Sequence, residues 1–175
     1  KDPKIMYQLN STLFQWLKTG LPEEGGPVGR QPRLSFYPFL DPVSAWGKML
    51  VHPKIGWEEP GRVTLALPKL SLKTDFRKPQ GTKNLRMEIA TLSCTAANPS
   101  KAGNMHTTFI DITNDDEGQE ARDIMLPLAL QPGELGLVVL RLKYTVEKAG
   151  NLQEVAGREW QPVDIIDAYY FPRLP

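Results

Sequence analysis

The stretch that decides the fold is Gly136-Leu137-Val138-Val139-Leu140-Arg141-Leu142-Lys143-Tyr144-Thr145-Val146. Val138, Leu140, Leu142, Tyr144 and Val146 fall on one side, and Arg141, Lys143, Thr145 and then Glu147 on the other. A period of two with β-branched and aromatic residues is the pattern of a half-buried strand. Ala149-Gly150-Asn151 then reads as a turn, and Leu152 to Val155 as the returning arm of a hairpin.

The same period appears elsewhere. Val63, Leu65 and Leu67 alternate with Arg62, Thr64 and Ala66, and Leu85, Met87 and Ile89 alternate with Arg86 and Glu88. Further strands are expected over Thr107 to Thr113, Ile124 to Leu128 and Val163 to Tyr170, each bounded by Gly, Pro, Asn or Asp. Consecutive strands with short turns and no intervening helix predict an antiparallel sheet. Such a sheet buries its apolar face most simply against a second one, which makes an all-β sandwich.

Helical spacing is confined to the first third of the chain. Leu13, Phe14 and Leu17 share a face over Ser11 to Thr19, which Gly20 and Pro22 end. A second short helix is expected over Asp41 to Leu50, with Asp41 as N-cap, Pro42 in the first turn and Pro53 beyond its end. Pro22 to Arg30 is rich in Gly and Pro and reads as a linker. The expected organisation is an N-terminal arm over residues 1–30, with a short helix, and a sandwich domain over 31–175.

With 175 residues, the chain is long enough for one substantial core. Twenty-one Lys and Arg against twenty Asp and Glu give a net charge of +1, too balanced for a nucleic-acid partner. No apolar run reaches the ~20 residues of a membrane span. A single cysteine, Cys94, rules out an intrachain disulfide. The chain opens Lys1-Asp2-Pro3 without an initiator Met, consistent with an upstream segment such as a signal peptide having been removed, and no compartment is assigned.

Catalysis near neutral pH usually asks for a histidine, and only His52 and His106 exist. Both read as surface or turn residues. A Cys94–His106 dyad is the sharper alternative, against a Cys94 that simply packs. Gly-rich phosphate loops, C-x-x-C, H-E-x-x-H and G-x-S-x-G are all absent, so no catalytic residues are assigned.

Asp111, Asp115, Asp116 and Glu117 carry the oxygen donors that Ca²⁺ takes, but their spacing is not that of an EF-hand. The plainer reading is a solvated loop, and no metal or cofactor is expected. Trp16, Trp46, Trp57 and Trp160 could stack on sugar rings if exposed, against the plainer role of filling seams between layers. Asn10-Ser11-Thr12 matches a glycosylation acceptor in form only.

Gly61-Arg-Val-Thr-Leu-Ala-Leu-Pro-Lys-Leu70, followed about ten residues later by Gly81-Thr-Lys-Asn-Leu-Arg-Met-Glu-Ile-Ala-Thr-Leu-Ser-Cys94, resembles a group of uncharacterised Bacteroidetes proteins. In that group a strand ending in Leu-Pro precedes a Gly-Thr-x-x-hydrophobic-Arg strand. Leu126-Pro127-Leu128, the strand around Val138 to Tyr144, Asn151 after its turn, and a terminal strand around Val163 to Ala168 extend the likeness over residues 34 to 171. The resemblance implies a bacterial protein of unknown function with an immunoglobulin-like body, and it implies nothing about a ligand.

The expected fold is thus all-β, an antiparallel immunoglobulin-like β-sandwich with a short helical N-terminal segment. The expected function is a non-catalytic interaction or structural module for a protein or glycan partner, the alternative being a carbohydrate-binding accessory module. Copies could also pair through a bare edge on one of the long strands, Lys83 to Thr95 or Gly136 to Val146.

Overall fold

A computed structural model describes residues 37–38, 44–58, 62–95, 98–114 and 118–171. In chain order the strands are β1 (Tyr37–Pro38), β2 (Lys54–Glu58), β3 (Arg62–Leu67), β4 (Thr82–Thr95), β5 (Asn98–Thr113), β6 (Arg122–Leu126), β7 (Glu134–Lys148), β8 (Asn151–Glu154) and β9 (Val163–Phe171). One helical turn, α1 (Ala45–Lys48), precedes β2, and a 3₁₀ turn over Arg158–Trp160 precedes β9. Every strand pair is antiparallel. The main sheet runs β1-β9-β7-β4-β5, with β8 also on β7, and the second sheet runs β2-β3-β6.

The strand periodicity carries over directly into burial. Leu85, Met87 and Ile89 of β4, Val138, Leu140, Leu142 and Tyr144 of β7, and Ile110 and Ile112 of β5 face the core from the main sheet. Val63, Leu65 and Leu67 of β3 and Leu126 of β6 meet them from the second. Thr91 ties the layers together, its hydroxyl donating to the Pro127 carbonyl at 2.7 Å. Gly136 is a point of close approach. A Cβ there would stand 2.9 Å from Leu130, 3.0 Å from Leu128 and 3.1 Å from Trp57.

Cys94, Leu135, Leu137, Ile165 and Ala168 are buried as well, yet they lie outside the core cluster. Alternation along β7 puts Leu135 and Leu137 on the face opposite Val138 and Leu140. The β7–β9 part of the main sheet is therefore buried on both faces.

The expected helix over Asp41 to Leu50 shortens to four residues. Ser44 is its N-cap, accepting from the Gly47 N–H at 3.0 Å. Asp164 of β9 accepts from the Ser44 hydroxyl at 2.6 Å and from the Trp46 N–H at 2.8 Å. These two bonds hold the turn against the sheet, and the chain leaves it extended at Met49, which bridges to Phe76. Asp41 and the helix expected over Ser11 to Thr19 lie outside the described residues.

Two corrections concern strands. The long strands expected to offer bare edges are central: β4 is paired with β5 and β7, and β7 with β4 on one side and β8 and β9 on the other. Periodicity reports a strand's faces and is silent about its neighbours. In addition, β2 and the first half of β5 are strands that the sequence pattern concealed. Gly56, Pro99 and Gly103 interrupt the pattern there, and a strand at the edge of a sheet tolerates such residues.

Candidate functional site

The outward face of the main sheet gathers a row of polar groups and two of the exposed apolar side chains, Met105 and Phe109. Its cross-strand rows follow from register. Asn84 stands between Thr113 and Thr145, Arg86 between Asp111 and Lys143, and Glu88 between Phe109 and Arg141. Ala90 stands between Thr107 and Val139, and Leu92 between Met105 and Leu137. The face thus grades from polar to apolar along the strands.

At the polar end an open cleft of about 390 Å³ lies over Asn84, Arg86, Asp111, Thr113, Lys143 and Thr145, with Glu154 of β8 at its side. Arg86 grips Asp111 through both carboxylate oxygens, at 2.7 and 3.0 Å. Lys143 and Arg141 both approach Glu88, at 2.6 and 3.6 Å. The hydrogen bonds from Arg86 hold the Asp111 carboxyl below its ordinary pKa, and Asp111 in turn raises that of Arg86. Asp111 is therefore moved away from the neutral range in which a general acid or base titrates. Two cations and two carboxylates, Arg86 and Lys143 with Asp111 and Glu154, leave the cleft without net charge. Such a surface suits neutral polar groups with both donors and acceptors.

Toward the apolar end, Phe109 is 56% and Met105 67% exposed, both on β5. The Arg86 guanidinium lies 5.6 Å from the Phe109 ring centroid, which places that ring at the rim of the cleft. Among the described residues no strand pairs with the other side of β5. From Gly103 to Thr113 this edge contains neither Pro, Lys nor Arg, and its one carboxylate, Asp111, is already paired with Arg86. Edges of soluble sheets are normally blunted by such residues.

The tryptophans are distributed differently from a sugar platform. Trp46, Trp57 and Trp160 are half-buried and pack against the core, while Trp16 lies outside the described residues. Trp46 stacks on His52 at 4.4 Å, Trp57 on Tyr169 at 5.0 Å, and Trp160 meets Tyr144 edge-on at 5.9 Å with Lys48 3.8 Å above it. Trp57 sits over Gly136 and Trp160 beside Tyr144, eight positions along β7, or roughly 26 Å. These two rings do not share one stacking surface.

Cys94 stands opposite Ala102, whereas His106 stands opposite Thr91, roughly 10 Å further along β4. Cys94 is buried, His106 is exposed, and burial pushes the thiol up to about 11, so the two do not form a nucleophile–base pair. His52 lies with Nε2 3.1 Å from the Trp46 carbonyl, which requires the proton on Nε2. Asp115, Asp116 and Glu117 are outside the described residues, and Asp111 is committed to Arg86. Among the described residues no three His, Cys, Asp or Glu side chains gather as a metal site. No helix among them is long and apolar enough to cross a membrane.

Sequence reasoning placed Arg86, Glu88, Arg141 and Lys143 on outward faces but had no means of bringing them together. Phe109 and Met105 escaped notice because the strand carries apolar residues on both faces. Compared with family models, curated proteins and solved structures, the chain shows no significant match to any of them.

Proposed function

We propose that this chain is a non-catalytic interaction module that holds a partner along the free edge and outward face of its main sheet. The observation that carries the proposal is β5, a 16-residue strand paired on one side only among the described residues, with Phe109 and Met105 exposed along it. An unpaired edge offers backbone donors and acceptors to an incoming strand, and alternate side chains supply the selectivity. The immunoglobulin-like form of the sandwich belongs to the same proposal. What supports it is strand order: β2-β3-β6 facing β9-β7-β4-β5 reproduces the A-B-E and G-F-C-C′ arrangement of such domains. The likeness to uncharacterised Bacteroidetes proteins is likewise proposed on the motifs that carry it.

The test compares the chain with a Met105→Lys/Phe109→Lys variant, each immobilised and exposed to extracts of the source cells. Proteins retained by the parent chain and depleted at least about tenfold by the variant, at equal melting temperature, support the edge. Equal retention by both overturns it.

The carbohydrate reading keeps one specific observation, the charge-balanced cleft with Phe109 at its rim. Aromatic rings stack on sugars while paired polar groups bind hydroxyls. Titration calorimetry with neutral cello- and xylo-oligosaccharides checks it. Binding abolished by Phe109→Ala and Arg86→Gln supports a glycan site, and silence from every oligosaccharide removes it.

A further inference from the structure

We propose that the occupant of the β5 edge is a second copy of this chain, paired antiparallel about a two-fold axis at Thr107. This inference rests on the interaction-module reading and names its partner. In an isologous strand pair the residue at the axis faces itself, and residues equally far on either side face one another. With the axis at Thr107, Met105 faces Phe109 of the second copy, and Phe109 faces its Met105. Both exposed apolar side chains of the edge are then covered, twice over.

Neighbouring registers lack this property. An axis at His106 sets Phe109 against Gly103, and one at Thr108 sets Met105 against Asp111. An axis at Phe109 sets Met105 against Thr113.

The chemistry of the Thr107 register is favourable at each outward position. Methionine sulfur against an aromatic ring is an attractive contact, and paired threonines on one face can share a hydrogen bond. Asp111 faces Gly103, so the two Asp111 carboxylates stay far apart, each held by its own Arg86. A perpendicular two-fold keeps the outward faces of both copies on the same side. The main sheet would continue unbroken from one molecule into the other, with both polar clefts opening in one direction.

Register can be tested directly. Directly opposed antiparallel residues have Cα atoms about 4.5–5.5 Å apart, within the span of a disulfide. Under mild oxidation Thr107→Cys should give covalent dimer, whereas Met105→Cys alone should not, its two copies being displaced along the strands. Native Cys94 is buried and leaves the parent chain as the blank.

Sedimentation velocity on the uncrosslinked chain should show mass rising with concentration toward twice 19.7 kDa. Met105→Lys/Phe109→Lys, which sets Lys against Lys, should weaken the dimer by about tenfold or more, and Met105→Lys/Phe109→Glu, which sets Lys against Glu, should restore it. A monomeric mass throughout with no Thr107→Cys dimer overturns the pairing, and so does failure of the charge pair to rescue. A monomeric mass with other proteins retained at the edge overturns only the second copy as its occupant, whereas a monomeric mass with equal retention by parent and variant overturns the module reading as well.

Discussion

Asp164 shows how one residue joins two parts of the fold. It is fully buried, and its carboxylate anchors α1 through the Ser44 hydroxyl and the Trp46 N–H. Burial raises its pKa above the ordinary aspartate value, and the bonds from Ser44, Trp46 and Ala45 oppose that rise without cancelling it. Because the folded carboxyl binds its proton more readily than the unfolded one, this group favours folding increasingly as pH falls from above its folded pKa toward the unfolded value. Asp164→Asn keeps an acceptor for Ser44 and removes the buried charge. Its stability relative to the parent should therefore be highest at neutral pH and shrink as pH falls through that window, as urea unfolding at several pH values would show. Asp164→Ala leaves the Ser44 hydroxyl and the Trp46 N–H without their acceptor, and should cost about 1–3 kcal/mol.

Among the elements, β7 carries the architecture. It runs through the centre of the main sheet, its even-numbered residues Val138 to Tyr144 fill the core, and Gly136 lets Trp57, Leu128 and Leu130 close over it. Gly136→Ala should force those side chains apart and cost about 1–3 kcal/mol in thermal or urea unfolding, the usual penalty for overpacking. A neutral result would mean that Trp57 swings aside, and its fluorescence would report the change. The strand itself was legible in the sequence because its two faces differ so sharply. Its central place was not, since that depends on which strands pair with its backbone. β5 illustrates the converse. Ile110 and Ile112 point inward and Phe109 outward, so apolar residues on both faces obscured which face was outward.

At the scale of the whole molecule, packing without disulfides makes Cys94 a reporter of global integrity. The thiol is buried and its pKa is pushed up to about 11, so at neutral pH it is both inaccessible and protonated. Reaction with a thiol reagent should be negligible in the native state and should rise with denaturant along the same midpoint as far-ultraviolet circular dichroism. Reaction well below that midpoint would reveal local opening of the β4–β7 region. The two layers are held by continuous apolar contact, with Thr91 contributing a polar link between them. A two-state transition is the behaviour expected of such a single core.

The sequence by itself determined that this chain would be built of antiparallel strands with a shared core. A side-chain period of two is a local property, imposed by backbone geometry and visible in any stretch of eleven residues. It also determined the absence of familiar catalytic motifs and of a strong net charge. Only the tertiary structure decided which of the described strands are central and which lie at an edge among the described residues. Only it placed Arg86, Asp111 and Lys143 around one cleft, and left Phe109 uncovered at its rim and Met105 uncovered further along β5. Those facts depend on register and neighbour choice, which arise from contacts between residues far apart in the chain.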